Sequence, residues 1–589
     1  MDIYGIVSRN PSSHNAPTIP NSFQYENIEY HEKSIKSKNY QLVMRNREDS
    51  EQIYEDDDFL VVLLGVISIG YEKIDVKRFV KLYDVKGDYV FECIKGIFNL
   101  VIIEKSSVRV RIVSDHFGLV PVFYHVSHGK LVFSTKLDFV RLHAGNGSCN
   151  LEYNAILEQI YFNYTLGGKT YYKSIYMQNA ASILEFSFGD HTVKKKEIIY
   201  WHIANVFGEL EKPYGKALSE YSQEFCRIVN SAVDNAKSPI LALTGGYDTR
   251  TSLAALLGQA SNIRCFSYGI KGSPDISIPL LMKKKLGIDY FPLYLDGMFV
   301  EEFDNIARSA IFHSDGLADL EKSNNEYAYR SLSLRHSDVV VGIFGSEFLK
   351  YYSFPNRLVS SNILRYFTSS EDCQSDCDSH CFDYGTLRAF HQCAGSYIRE
   401  NYLNKYPDLS TAHKVLLFYY YEGVRKYFMK ELRIARYYAN IIAPFIDKDL
   451  LEILFRSRLP NIRHLQRWDK SLLQKHRAHF VYSHIIRKYY PQLLDVTTDR
   501  GYKPKYDLFM WSRLFIIPYY IRYKLKKRER NYLYNIWARP FVEKYSSILR
   551  TSDLLKPLFP NNDERITFSD EGILHRLLSV AVYLNGISW

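Results

Sequence analysis

The residues best equipped for chemistry lie at 241–250, LALTGGYDTR. Two adjacent glycines, Gly245 and Gly246, allow the backbone to approach a ligand closely, and a helix starting just past them would offer unpaired N–H groups to an anion. Thr244 and Thr249 add hydroxyl donors, and the Asp248 carboxylate can hold a divalent cation that bridges phosphates. This is the composition of a pyrophosphate cradle. It is not of the Walker type, because no G-x-x-x-x-G-K-[ST] occurs. The same stretch also reads as an ordinary strand-to-helix turn capped by Asp248, since Gly-Gly pairs recur in α/β turns.

Elements able to position such a loop surround it. Residues 238–243 (SPILAL) predict a short buried strand, 251–257 a helix, 263–268 a strand and 276–286 a helix, with an amphipathic helix before them at 214–236. Residues 338–344 (DVVVGIF) add a further buried strand. Strand, glycine turn, helix, strand, helix is the pattern of a doubly wound parallel sheet. The first 200 residues read instead as β-rich, with strands at 96–104 and 108–114 and a turn at Asp115-His116-Phe117-Gly118. A hairpin follows, 121–125 with 130–134 around Ser127-His128-Gly129. Residues 151–162 turn helical, and the chain beyond the parallel-sheet section is mostly helical.

Composition bounds the rest. At roughly 100–200 residues per domain, 589 residues predict two to four domains, and 46% hydrophobic with 24% charged residues excludes a disordered or fibrous chain. A net charge of +10 over this length does not imply nucleic acid, and none is expected as a partner. The longest basic run, 522–530 (RYKLKKRER), reads as a solvated helix face, and the aromatic run at 418–421 (FYYY) as a packed one. The start, MDIYGIVSRNPSS, lacks the regions of a signal peptide. Residues 59–70 (FLVVLLGVISIG) are too short to span a bilayer and read as buried strand, so no membrane span and a cytoplasmic location are expected. Eight cysteines do not form a disulfide framework of the secreted kind. Cys373, Cys377 and Cys381, with His380, His391 and Cys393 nearby, have the wrong spacing for C-x-x-C pairs; free cysteines are expected ahead of a metal or cluster site. His313-Ser314-Asp315 comes without a G-x-S-x-G elbow and reads as a loop cap.

The 241–250 segment closely resembles the SGGxDS pyrophosphate loop of the asparagine synthetase family, with Thr244 and Thr249 for both serines. Gly272-Ser273-Pro274-Asp275 resembles that family's second element, which follows a strand like 265–269 (CFSYG) and lies over the nucleotide. Gly342-Ile343-Phe344-Gly345-Ser346-Glu347 resembles its Gly- and acid-rich loop, and 443–450 (APFIDKDL) its PFLDKDL segment. Asp499-Arg500-Gly501-Tyr502-Lys503 stands near its basic loop with a catalytic Lys. Upstream, Gly96-Ile97-Phe98, Asp115-His116-Phe117-Gly118, Pro121-Val122-Phe123-Tyr124 and Phe133-Ser134-Thr135 are similar in order and spacing to its glutaminase-type domain. β-Lactam synthetases and lasso-peptide cyclases have a similar layout.

The resemblance implies an α/β chain: an N-terminal Ntn-hydrolase-like α+β sandwich (1–205), a doubly wound parallel-sheet PP-loop domain (206–510) and a basic, aromatic helical C-terminal extension (511–589). It implies ATP and Mg²⁺ as cofactors. Leu243, Thr244, Gly245, Gly246, Asp248, Thr249, Ser267, Gly342 and Gly345 would meet the nucleotide, and Asp248 with Glu347 the metal. Lys503, or failing it Arg500, would stabilise charge in the transfer step. The implied reaction is AMP-forming amide ligation between a carboxylate and an amine, neither identified. An ammonia-dependent asparagine synthetase and a catalytically inactive scaffold are the alternatives, and a homodimer or a partner biosynthetic protein fits either.

Departures from the family pattern refine these expectations. Met1-Asp2 offers no Cys, Ser or Thr nucleophile, and Leu64-Gly65-Val66 stands where the glutamine-binding Asn-Gly-Glu should be. A platform without glutaminase activity is therefore expected. Glu347 replaces the usual Asp, and the acid expected three positions earlier is Phe344; shifting the register by one puts Ser346 and Ile343 there instead. Metal binding survives in the first register, a general base in neither. Arg250 is expected to place a fixed cation near the phosphates.

Overall fold

The structure is a computed structural model. It describes residues 2–8, 31–46, 52–145, 150–189, 191–207, 212–260, 262–332, 338–349, 356, 358–368, 382, 384–457, 459–460, 472–509, 516, 518–519, 536–559 and 570–587.

Alternation of side chains builds the N-terminal half. In β1 (Asp2–Ser8), Ile3 and Val7 enter one core while Tyr4 and Ile6 enter another. Gly5 lies between them because the Phe133 ring crosses the strand there, 2.2 Å from where a Cβ would stand. The following strands are β2 (His31–Lys36), β3 (Tyr40–Asn46), β4 (Ile53–Glu55), β5 (Phe59–Ile69), β6 (Glu72–Ile74), β7 (Ile94–Glu104), β8 (Arg109–Ser114), β9 (Phe123–Ser127), β10 (Lys130–Ser134), β11 (Tyr176–Met177), β12 (Ser182–Phe188) and β13 (Val193–Ile199). They form two antiparallel sheets, β11-β9-β10-β1-β3-β2 and β13-β12-β8-β7-β5-β4, with β6 on β5. Leu60, Val62 and Leu64 of β5 face the other sheet, while Val61 and Leu63 face the Val76–Lys86 helix. Burial on both faces accounts for the unbroken apolar run of that strand. The β9–β10 hairpin turns on His128 and Gly129, both with positive φ (46° and 72°), as a two-residue turn requires. The helices Leu137–His143 and Tyr153–Phe162 cover the outer face of the first sheet, completing an α/β/β/α stack.

The second half is a parallel sheet of five strands: β14 (Pro239–Ala242), β15 (Arg264–Gly269), β16 (Tyr290–Tyr294), β17 (Asp338–Val340) and β18 (Asn440–Ile442). Their order, β16-β15-β14-β17-β18, reverses direction between β14 and β17. That reversal opens a crevice at the carboxyl ends of β14 and β17. Among the described residues, helices make up most of the excursion from β17 to β18 and follow β18. The C-terminal helix Glu571–Leu584 packs on both halves, with Tyr583 against Tyr171 and the Arg576 guanidinium donating to the Ile160 carbonyl at 2.5 Å.

Two boundaries move relative to expectation. The helix after the glycine pair starts at Asp248 itself. The strand expected at 338–344 ends at Val340, because the chain must leave the sheet to bring Gly342 and Gly345 over Asp248. Among the described residues no helix is long and apolar enough to cross a membrane. The basic run at 522–530 and Cys373, Cys377 and Cys381 lie outside the described residues.

Candidate active site

The loop after β14 folds on its own hydroxyls. The Thr244 N–H donates to Thr249 Oγ1 (3.0 Å), the two hydroxyls lie 3.2 Å apart, and the Gly246 N–H reaches Thr244 Oγ1 at 3.4 Å. Leu243, fully buried, ties its N–H to the Phe266 carbonyl at 2.7 Å. The Gly245 N–H points to the Asp275 carboxylate (3.4 Å), in the first turn of the Pro274–Leu286 helix. A Cβ on Gly245 would come within 2.9 Å of both Ile278 and the Pro274 carbonyl, so only glycine lets the loop lie this close to that helix. A Cβ on Gly246 would meet only Thr244 Oγ1, at 3.5 Å.

The loop after β17 closes the other side of the crevice. A Cβ on Gly342 would stand 2.6 Å from Thr249 Cγ2, and one on Gly345 would stand 3.1 Å from the Asp248 carboxyl carbon. The Ser346 hydroxyl donates to Asp248 Oδ2 at 2.6 Å, while Asp248 Oδ1 is buried without a hydrogen-bond partner. Burial first, then the charge of Asp248 and a hydrogen bond with it, hold the Tyr482 phenol well above its ordinary range, and Glu347 adds to that field. Asp248, Ser346, Tyr482 and Glu347 therefore share one locality. Phe344, at the position expected to carry an acid in the first register, is fully buried among Phe117, Phe348 and Phe428 with φ 68°.

A third segment docks from below. The Asp499 N–H donates to the Gly245 carbonyl at 2.9 Å, and Gly501, with φ 84°, turns the chain back so that Thr498 pairs with Tyr502. Arg500 bonds to His479, whose ring stacks on Tyr247 with centroids 4.6 Å apart; the Arg500 guanidinium lies 6.0 Å from the Tyr247 ring. The Tyr247 hydroxyl donates to Asp507, and Tyr502 lies 3.2 Å from His479 Nδ1. Lys503 lies 3.8 Å from the Asp495 carboxylate.

The expectation for Arg250 is corrected. Its guanidinium is fully buried and donates to the carbonyls of Val496 (2.6 Å), Thr497 (2.7 Å), Leu493 and Gly245 (both 3.4 Å). Burial lowers its pKa to about 10. It is a clamp between the glycine loop and the 493–499 segment, not a cation offered to phosphate. Ser267 stands one layer back: its hydroxyl donates to the Asp275 carbonyl (2.6 Å) and meets the Tyr290 hydroxyl (2.7 Å). The structure thus brings Thr244, Gly245, Gly246, Asp248, Thr249, Gly342 and Gly345 together, with Ser267 behind them, while Arg500 turns to His479 and Tyr247 and Lys503 to Asp495. Sequence reasoning missed Tyr247, His479 and Tyr482, which are ordinary aromatic positions until the fold stacks them. Ser346 was visible only as the alternative register.

Other candidates resolve as structural. The Ser314 hydroxyl donates to the Ala310 carbonyl (2.8 Å), and His313 pairs with Glu326 (2.8 Å). Asp315 sits between Arg433 and Lys136, the latter 3.3 Å away. Among the described residues no three His, Cys, Asp or Glu converge on a metal position, and Cys393 is exposed.

The residues around Asp248 could hold a phosphate chain with a divalent cation. The helix starting at Asp248 offers its N-terminus beside the glycine pair, and Asp248 Oδ1, with no geometric hydrogen bond, lies in the same locality as the Tyr482 hydroxyl and Glu347.

A sequence profile of the glutamine amidotransferase domain matches residues 72–201. No curated protein matches the chain. Among solved structures, glutamine phosphoribosylpyrophosphate amidotransferase from B. subtilis, complexed with ADP and GMP, is similar at 8% identity and TM-score 0.18, over 49% of this chain and 59% of that one. NMN synthetase from Francisella tularensis is similar at 15% identity and TM-score 0.19, over 35% of this chain and 92% of that one. An allosteric regulatory enzyme of purine biosynthesis is similar at 9% identity and TM-score 0.19, over 50% and 74%. The chain thus spans less than two thirds of the first of these.

Proposed function

We propose that this chain, with its amidotransferase-type sandwich and an architecture consistent with an asparagine synthetase-like family, is an ATP-dependent, AMP-forming amide ligase without glutamine hydrolysis of its own. In this reading residues 1–205 are a platform, 206–510 the ligase and 511–589 a helical extension. The observation that carries the reading is Asp248: a partly buried carboxylate, bonded through one oxygen to Ser346 and set between two glycine loops where the strand order of the parallel sheet reverses.

Gly245 and Gly246 would let the phosphates come close to the helix N-terminus, where the Thr244 and Thr249 hydroxyls add polar partners. Asp248 with Glu347 would hold Mg²⁺, and Ser346 would orient Asp248. When bound, that ion supplies charge neutralisation on the phosphates. A substrate carboxylate oxygen attacks the α-phosphorus, pyrophosphate leaves, and an acyl adenylate forms. An amine then attacks the acyl carbon, and amide, AMP and a proton are released. Arg500, held against Tyr247 and His479, and Lys503 are the cations closest in sequence to the docked Asp499; they would stabilise charge developing in that second step.

The test is product analysis of ATP turnover with Mg²⁺ and a desalted or whole extract as substrate source. AMP and pyrophosphate should form with wild type and fall at least about a hundredfold in Asp248→Ala. ADP and phosphate as the only products would overturn the pyrophosphate-loop reading. The burial of Phe344 at a position expected to be acidic favours one second reading, a non-catalytic binding subunit; ATP binding without AMP release would establish it.

A further inference from the structure

Behind the glycine loop stands the Leu472–Tyr489 helix, and two of its residues meet two successive residues of the loop. His479 and Tyr482 are three apart, so they share one face of that helix. The His479 ring lies flat on the Tyr247 ring, with centroids 4.6 Å apart and planes 6° from parallel. The Tyr482 phenol faces Asp248 and feels its charge. Tyr247 is 4% exposed and His479 2%, so neither ring has room to slide past the other.

Arg500 meets the same imidazole at its polar edge. Its guanidinium bonds to His479, with Nη1 3.2 Å from Nδ1, and stands 6.0 Å from the Tyr247 ring. The Tyr502 hydroxyl lies 3.2 Å from the same nitrogen. A second link runs through the backbone, where the Asp499 N–H donates to the Gly245 carbonyl at 2.9 Å. The residue before Arg500 is thus fastened to one end of the glycine loop. The Arg500 side chain is fastened, by way of His479, to the other.

The residue types suit such a link. An aliphatic side chain at 247 would fill the same space against the helix. A tyrosine stacked on a histidine adds imidazole nitrogens, held in a fixed plane and able to accept from a guanidinium. Tyr247 also stands at the N-cap position of the Asp248–Leu257 helix, its carbonyl accepting the Thr251 N–H at 2.8 Å, and its hydroxyl donates to Asp507. An anion seated at that helix N-terminus bonds to N–H groups beside Tyr247 and turns their peptide units. The ring follows its backbone, His479 follows the ring and Arg500 the imidazole, because a close-packed interior has no gap to absorb the movement. We propose that His479 is a positioning residue that ties the place of the Arg500 guanidinium to the occupancy of the glycine loop. Phosphate on the loop then decides how the cation of the second step is held, which orders the two steps. The inference rests on the phosphate-loop reading above and adds a regulation of that site.

The probe is pyrophosphate with Mg²⁺, added to the full-length protein. Calorimetry follows its binding, and peptide mass spectrometry follows the rate at which phenylglyoxal modifies Arg500, with exposed Arg550 as the reference. Pyrophosphate should change the Arg500 rate at least about fivefold and leave Arg550 unchanged, a comparison that requires no folded variant. His479→Leu fills the space against Tyr247 without an acceptor; pyrophosphate should still bind, but the Arg500 rate should no longer respond. His479→Gln, which returns an acceptor, should restore most of the response. Three results each overturn the proposal and leave the phosphate-loop reading standing. One is pyrophosphate binding with no change at Arg500. The second is an equal response in His479→Leu, which would mean that the guanidinium meets the anion directly. The third is a response lost alike in His479→Leu and His479→Gln, which would reduce His479 to packing. No binding of pyrophosphate up to about 10 mM overturns the phosphate-loop reading itself, and the proposal with it.

Discussion

Arg250 spends its guanidinium on the carbonyls of Leu493, Val496, Thr497 and Gly245, and so joins the glycine loop to the segment that presents Arg500. Arg250→Met keeps the length of the side chain but strands those buried acceptors. We expect a loss of about 3–5 kcal/mol in urea unfolding, together with a fall in AMP formation, because the docking of Asp499 on Gly245 goes with it. Position 250 follows the motif directly in the sequence, which is why proximity to phosphate was the natural expectation; burial reverses it. The loop residues themselves were legible, since Thr244, Gly245, Gly246, Asp248 and Thr249 act through local backbone geometry. The Ser346 contact with Asp248 was not, because its partner lies 98 residues away.

The two glycine loops work as elements only because β14 and β17 are neighbours. Gly342→Ala would drive a methyl into Thr249 and push the second loop off Asp248. An overpacking cost of about 1–3 kcal/mol and a tenfold or greater loss of turnover are expected, read by thermal unfolding and AMP release. Gly215→Ala is the matched control: nothing lies within 4 Å of its Cβ, at the start of the Tyr214–Asp234 helix, so stability should hold or rise. The Arg425–Arg436 helix makes a different point. Its Arg425, Lys426, Lys430 and Arg433 are buried. Arg425 meets the Gln178 carbonyl (3.1 Å), Lys426 the Thr165 and Gly167 carbonyls (2.5 and 2.7 Å), and Arg433 the Thr135 carbonyl (3.1 Å). Loops of the sandwich supply every one of these acceptors, and no local pattern announces them.

At the scale of the molecule, the halves share one continuous core from Tyr4 to Tyr583, and titratable groups are trapped where they join. His202, in the segment leaving the sandwich, accepts the Ala204 N–H at 3.1 Å and stacks on Tyr406 and Tyr421. Burial depresses its pKa from 6.5 to about 4. Between those values the unfolded chain binds a proton that the folded one refuses, so stability is lost as pH falls through that window. His202→Asn keeps a capping oxygen and removes the titration; relative to neutral pH, it should lose about 2 kcal/mol less than wild type by pH 5, measured by urea midpoints. The sequence alone determined the alternating strands, the strand–glycine–helix unit, the order of the family-like motifs and the residues of the glycine loop, because each follows from periodicity and backbone freedom within a few residues. Only the tertiary structure decided that β14 and β17 adjoin, that Phe344 packs inward, that Arg250 clamps backbone and that His479 stands between Tyr247 and Arg500. The reason is physical: a side chain's type states what partner it needs, but the partner's place depends on contacts that span hundreds of residues.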